Sequence, residues 1–188
     1  ESVQRNAQGR EVIIITEENY KNYVSIPKWA EEKHKAGIIS RTHYSDLLRL
    51  SLLAEHGGMW LDATFFCVGS SVDQIFEKPI WSIKRPDYLH GSIASGYFAT
   101  YALRCDFGNR WIFATIRDFF LHYWKENDML IDYLLFDYMI VLAQRCDQRI
   151  ADAFHSIIPN NPCCDELGKV LSEPYDSEVW EGLKKETF

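Results

Sequence analysis

Two adjacent glycines, Gly57 and Gly58, separate a long apolar stripe from a short apolar run, and this junction constrains the fold more than any other feature of the chain. Upstream, from about Arg41 to His56, the residues Tyr44, Leu47, Leu48, Leu50, Leu52 and Leu53 recur at the spacing of a largely buried helix. A glycine directly after such a stripe can take the positive φ of a left-handed C-cap. Downstream, Met59 to Phe66 has the length and composition of a strand. Helix, glycine turn and strand in that order predict a layered α/β domain.

The strand carries an acid. Side chains alternate along a strand, which puts Trp60, Asp62 and Thr64 on one face and Met59, Leu61 and Ala63 on the other. A carboxylate held among apolar residues is costly without a cation, a basic side chain or a hydroxyl to meet it. Open α/β sheets bind ligands beyond the carboxyl ends of their strands, and Asp62 would stand there. One helix upstream, Asp46 and Arg49 are spaced i, i+3 and share a face. At a surface such a pair is worth only a few tenths of a kcal/mol. The surrounding leucines predict partial burial instead, where a charge pair calls for a purpose.

The rest of the chain supplies the other layers. Glu11–Thr16 is a β-branched run that predicts a buried strand, and Pro27–Gly37 a short solvated helix with proline at its start and glycine at its end. Pro79–Lys84 predicts another strand, and Gly91–Ala102 either a strand or a loop lining a cleft. Helices are expected at Arg110–Lys125, with Asn109 as N-cap, from Met129 to about Gln144, and at Asp147–Ile157, followed by a loop at Asn160–Pro162. Asp132 would then lie in the first turn of its helix, where an acid is favourable against the helix dipole and can also serve a cleft.

Composition excludes several classes. With a net charge of −7 and dispersed Lys and Arg, the chain has no electrostatic footprint for nucleic acid. The longest uncharged stretch, Tyr88–Leu103, is interrupted by His90, Gly91 and Gly96 and falls short of a transmembrane segment. The five cysteines include no Cys-x-x-Cys spacing, and the six histidines no metal-ligand spacing. These features lead us to expect a cytoplasmic protein, at most peripheral at the inner face of the membrane. The 188 residues are expected to form one domain.

The stretch HYSDLLRLSLLAEHGGMWLDATFF, residues 43–66, resembles the signature of the bacterial capsular polysaccharide synthesis family: Ser-Asp-x-x-Arg, an apolar helix, Gly-Gly, then an apolar strand ending in Asp-Ala-Thr. Five separated elements occur in order and at the family's spacing, and NYKNYVSIPKWAEEKHKAGIISRTHYSD, DYLLFDY and IPNNP are similar to its flanking segments. The resemblance implies a glycosyltransferase related to the sugar transferases with an Asp-x-Asp motif. Its fold would be a GT-A-type nucleotide-binding sandwich, a central mixed sheet flanked by helices. It also implies a retaining transfer of sugar from a nucleotide-diphosphate donor, first of all a UDP-sugar, to a saccharide acceptor in capsule or other cell-surface polysaccharide biosynthesis.

Carried onto this chain, the resemblance gives Asp46 and Arg49 the donor sugar and diphosphate, and Asp62 the ribose or sugar hydroxyls and the approach to a divalent metal, Mn or Mg. Gly57 and Gly58 allow the tight turn, Thr64 lines the substrate site, and Asp132 is the catalytic candidate from DYLLFDY. Thr64 stands where the wider group has a second acid, and a neutral hydroxyl is a much weaker ligand for a hard cation. The family's first strand and its C-terminal basic motif find no counterpart in the sequence, so a core truncated at both ends is expected. A haloacid-dehalogenase-type phosphatase would also place an Asp at a strand end, but it needs a second acid two residues on, where Thr64 cannot donate a proton. A non-catalytic saccharide- or nucleotide-binding module is the other alternative. The site assignment implies that Asp62→Ala and Arg49→Ala remove donor binding and leave the fold intact.

Overall fold

A computed structural model of the chain describes residues 1–67, 72–86, 92–162, 164 and 166–186. In chain order it contains α1 (Ser2–Asn6), α2 (Lys28–Lys35), α3 (Arg41–His56), β1 (Gly58–Leu61), α4 (Val72–Phe76), β2 (Ile80–Ser82), β3 (Ala102–Cys105), α5 (Arg110–Glu126), α6 (Leu135–Cys146), α7 (Gln148–His155), α8 (Glu166–Val170) and α9 (Ser177–Glu186). Among the described residues the sheet is small and antiparallel throughout, in the order β1-β3-β2, with Trp60 opposite Leu103 and Ser82 opposite the same Leu103. The α/β class holds. The central mixed sheet expected of a GT-A sandwich is not what these three strands form.

The main departure lies at Glu11–Thr16, which forms no regular element and joins no ladder among the described residues. Ile13 and Ile14 are 42% and 65% exposed. β-Branched residues favour extended backbone, but a strand needs a partner for its amides, and none of the described strands runs beside this segment. Only Ile15 packs against the core.

α3 forms as the apolar stripe predicts. Ser40 caps it by accepting from the His43 amide at 3.3 Å, and Leu47, Leu50 and Leu53 are fully buried or nearly so. They meet Ile112, Phe113, Ile116 and Phe120 of α5, and α6 and α7 extend the same core. Fully burying each such side chain is worth about 1.5–3 kcal/mol, so the α3–α5 seam fixes the platform on which the site stands. Asn109 does stand at the N-cap of α5, as expected. Asn109 makes no capping bond; Asp106 accepts from the Asn109 amide and side chain, both at 2.9 Å, through a 3₁₀ turn at Phe107–Asn109. α6 begins at Leu135 rather than Met129. Asp132 Oδ1 instead accepts from the Leu134 amide at 2.7 Å, a turn that precedes the helix. The segment before β3 is a succession of turns rather than a strand, and Gly91 lies outside the described residues.

The glycine junction is as sharp as the sequence demands. Gly57 donates to the Leu53 carbonyl at 3.0 Å and has φ 69° and ψ −147°, a conformation beyond the left-handed helical one and nearly restricted to glycine. A Cβ here would lie 3.2 Å from the Cys105 carbonyl oxygen and 3.3 Å from that of Asp106, whereas one on Gly58, at φ 83°, would meet nothing within 4 Å. Gly57→Ala is expected to cost about 2–4 kcal/mol, strain plus backbone collision, and Gly58→Ala about 1 kcal/mol. Urea denaturation of the two variants checks this order; equal losses would contradict it.

Candidate functional site

Arg49 is the centre of the site. It projects from α3 and is 5% exposed. Its Nη2 lies 2.9 Å from Asp62 Oδ1 and 3.3 Å from Asp46 Oδ1, and its Nη1 donates to the Thr100 carbonyl. The guanidinium carbon lies 5.3 Å from the Trp60 ring centroid and 5.4 Å from that of Phe136. A guanidinium within reach of two aromatic rings gains cation–π attraction from each. Its Nε is buried and makes no hydrogen bond among the described residues.

Asp62 is placed by the end of the sheet. β1 stops at Leu61, the Asp62 amide still bonds the Tyr101 carbonyl at 2.9 Å, and the chain then turns, with the Phe65 amide bonding back to Asp62 at 2.9 Å. The strand is therefore shorter than the expected Met59–Phe66. Trp60 and Asp62 do share a face, because the indole Nε1 donates to Asp62 Oδ1 at 2.6 Å. Thr64 does not join them; it lies exposed in the turn, where alternation no longer applies. Asp62 Oδ1 thus takes both Arg49 and Trp60, while Oδ2 receives no hydrogen bond from the described residues and the side chain is 33% exposed.

A third carboxylate joins from α6. Asp137 is 9% exposed and follows Phe136, whose ring carries Arg49. Burial pushes Asp137 up to about 6; its backbone hydrogen bond and Arg49 oppose the rise, while Asp46 and Asp132 add to it. Burial likewise raises Asp46 to about 6, against Arg49 and with Asp62. Asp132, the acid singled out from the sequence, lies exposed in the loop before α6 and touches the cluster only through its field on Asp137. That loop is anchored by His43, 1% exposed, whose Nδ1 meets Ser40 Oγ at 2.7 Å and whose Nε2 meets the Tyr133 carbonyl at 3.1 Å. The carbonyl can only accept, so the proton sits on Nε2.

Sequence reasoning missed Asp137 and Phe136, and it placed Trp60 on the face of Asp62 without giving it a part in the site. The signal for Asp137 was present, since DYLLFDY holds two Asp-Tyr pairs, and the buried positions Leu135, Phe136, Met139, Ile140 and Ala143 set the helix phase that turns the second acid inward.

Asp46 and Asp137 are buried while Asp62 is partly exposed, so burial first, and the neighbouring carboxylates second, disfavours ionising the two inner acids. The folded protein therefore holds protons on Asp46 and Asp137 that the unfolded chain releases near pH 3.8. A raised folded-state pKa means that these groups favour folding most at low pH, and that the contribution is lost as pH rises from about 4 through about 6. The loss is on the order of 2–3 kcal/mol for each at most, with the pair titrating together. Asp46→Asn and Asp137→Asn should each flatten this slope. Urea midpoints measured at pH 5 and pH 7.5 test it, and slopes matching the parent would refute the protonated cluster.

The described residues do not make a metal site of their own. No group of three or more His, Cys, Asp or Glu among them could hold an ion. Asp62 offers a single carboxylate oxygen, with Arg49 and Trp60 already on the other. No described helix is long and apolar enough to cross a membrane.

No curated protein and no solved structure matches this sequence. The family described as capsular polysaccharide synthesis protein matches residues 1–188, the full length of the sequence, and the chain belongs to that family.

Proposed function

We propose that the chain is a glycosyltransferase domain that moves a sugar from a nucleotide-diphosphate donor, first of all a UDP-sugar, to a saccharide acceptor in capsular polysaccharide synthesis. The observation that carries this reading is the state of Asp62. One oxygen is fixed by Arg49 and Trp60, and the other receives no hydrogen bond from the described residues, on a side chain 33% exposed just past the end of β1. A carboxylate so held is a preorganised acceptor for sugar or ribose hydroxyls, which it can bind without paying to order itself. Membership in the capsular polysaccharide synthesis family supports a sugar substrate.

Arg49 and Asp46 act at the same end of the sheet. Arg49 fixes the direction of Asp62 and, with its unused Nε, supplies positive charge toward a leaving diphosphate. Catalysis would consist of orienting donor and acceptor and stabilising charge on the leaving group, with retention of the anomeric configuration. The exposed Thr64 would line the donor, and Asp132 would stand at the rim near the acceptor. The GT-A sandwich is part of this proposal, with β1, β3 and β2 as one side of a larger sheet.

Calorimetric titration of UDP-sugars and other nucleotide sugars, with and without manganese, followed by a turnover assay with saccharide acceptors, tests the reading. Binding with transfer supports it. Binding without transfer would make the chain a non-catalytic nucleotide-sugar module, and no binding would overturn the assignment of the site.

A further inference from the structure

The small sheet has a second face. Along β3, Leu103 and Cys105 enter the main core, while Ala102 joins a smaller cluster with Ile75, Trp81 and Ile83. Arg104 alternates onto that smaller side, away from Trp60 and Arg49. It is 5% exposed, and its Nη2 donates to the Phe76 carbonyl at 2.7 Å. Its Nε and Nη1 are buried and have no hydrogen-bond partner among the described residues. A second guanidinium shares the same ring: the carbon of Arg10 lies 4.5 Å from the Phe76 centroid and that of Arg104 5.1 Å.

Two acids, Asp73 and Asp106, stand near these two arginines, and neither hydrogen-bonds Arg104 among the described residues. Arg10 pairs with Asp73 at 2.5 Å, at the rim, where the two side chains are 32% and 63% exposed. Asp106 is the other acid whose field reaches Arg104, but its Oδ1 is engaged by the Asn109 amide and side chain. Burial holds Arg104 below the usual arginine range; the fields of Asp106 and Cys105 oppose this and that of Arg10 adds to it. A desolvated guanidinium with two idle N–H groups, set beside another cation, is expensive unless an anion completes it.

We propose that Arg104 and Arg10 form a second binding site, for a phosphate-type oxyanion, on the face of the sheet opposite Arg49 and Asp62. Phosphate fits better than a carboxylate because its two charges match two guanidiniums once Arg10 leaves the exposed Asp73. The anion takes charge-assisted bonds from Arg10 at the rim, and it reaches the idle donors of Arg104, which are closed to solvent, only as Arg10 swings off Asp73 and the Phe76 ring. Inorganic phosphate and the phosphoryl group of a sugar phosphate share this chemistry.

The test uses the full chain. Thermal unfolding and calorimetry are run in sodium phosphate against sodium chloride at matched ionic strength, and with glucose 1-phosphate as a second probe. Phosphate is expected to raise the melting temperature beyond chloride. Arg104→Gln and Arg10→Gln should each weaken phosphate binding about tenfold or more, the loss expected for a charge-assisted bond. Arg10→Gln, at the rim, keeps the test valid if Arg104→Gln does not fold, and it should leave nucleotide-sugar binding at Asp62 unchanged. Glucose 1-phosphate competing with phosphate would assign the site to a phosphomonoester, and binding of phosphate alone to the free anion. No phosphate effect beyond chloride, or equal affinity in the parent and both variants, would overturn the proposal.

Discussion

Arg49→Met is expected to destabilise the fold by about 3–5 kcal/mol at pH 7.5, the range for removing one member of a buried charge cluster. Methionine replaces most of the arginine stem, so the loss falls on the charge and its bonds rather than on a cavity. Those bonds tie α3 to three other segments: Asp62 beyond β1, the Thr100 carbonyl before β3, and the Phe136 ring on α6. Without the guanidinium, Asp46 is left 7% exposed with no cation within reach.

Asp46 has an escape, and it gives the prediction a second signature. Already raised to about 6 by burial, it loses the one group that lowers it and will take a proton at still higher pH. The penalty for Arg49→Met should therefore shrink at pH 5, where the parent also holds that proton. Urea denaturation at both pH values measures this. A cost below about 1 kcal/mol at pH 7.5 would mean that Arg49 does not organise the cluster. The structure thus revises the expectation that Arg49→Ala leaves the fold intact, since a side chain with 6% of its surface exposed cannot be removed without disturbing its neighbours.

The parts of the fold written locally were legible. The leucine stripe of α3 and the double glycine located helix, turn and strand, and Asp46, Arg49 and Asp62 do meet, at 3.3 and 2.9 Å. What the sequence hid depends on partners far along the chain. Whether Glu11–Thr16 becomes a strand is decided by what lies beside it, which no local pattern encodes. The start of α6 turned on whether Asp132 closes a turn with Leu134 or enters the helix, a competition that short polar side chains often win against the helix. That shift exchanged the two acids of DYLLFDY, leaving Asp132 at the rim and Asp137 inside. Thr64 was misplaced for a similar reason: alternation was carried past the last residue with a ladder bond.

Asp62→Asn is expected to lower kcat/KM for sugar transfer about 10²–10³-fold, the range for deleting one preorganised electrostatic contact, while changing folding stability by less than about 1 kcal/mol. The asparagine Oδ1 can still accept from the Trp60 indole and from Arg49, so the turn after β1 keeps its direction. The second oxygen's position is what changes, because a neutral amide replaces the oxygen that would accept a sugar hydroxyl, and charge-assisted bonds are about twice as strong as neutral ones. Asp132→Asn, at an exposed carboxylate already bonded to the Leu134 amide, should cost far less. Turnover and calorimetric affinity measured on the folded variants separate the two sites of action. Full activity in Asp62→Asn would move the donor away from the strand end, whereas a larger loss in Asp132→Asn would return the chemistry to the loop before α6.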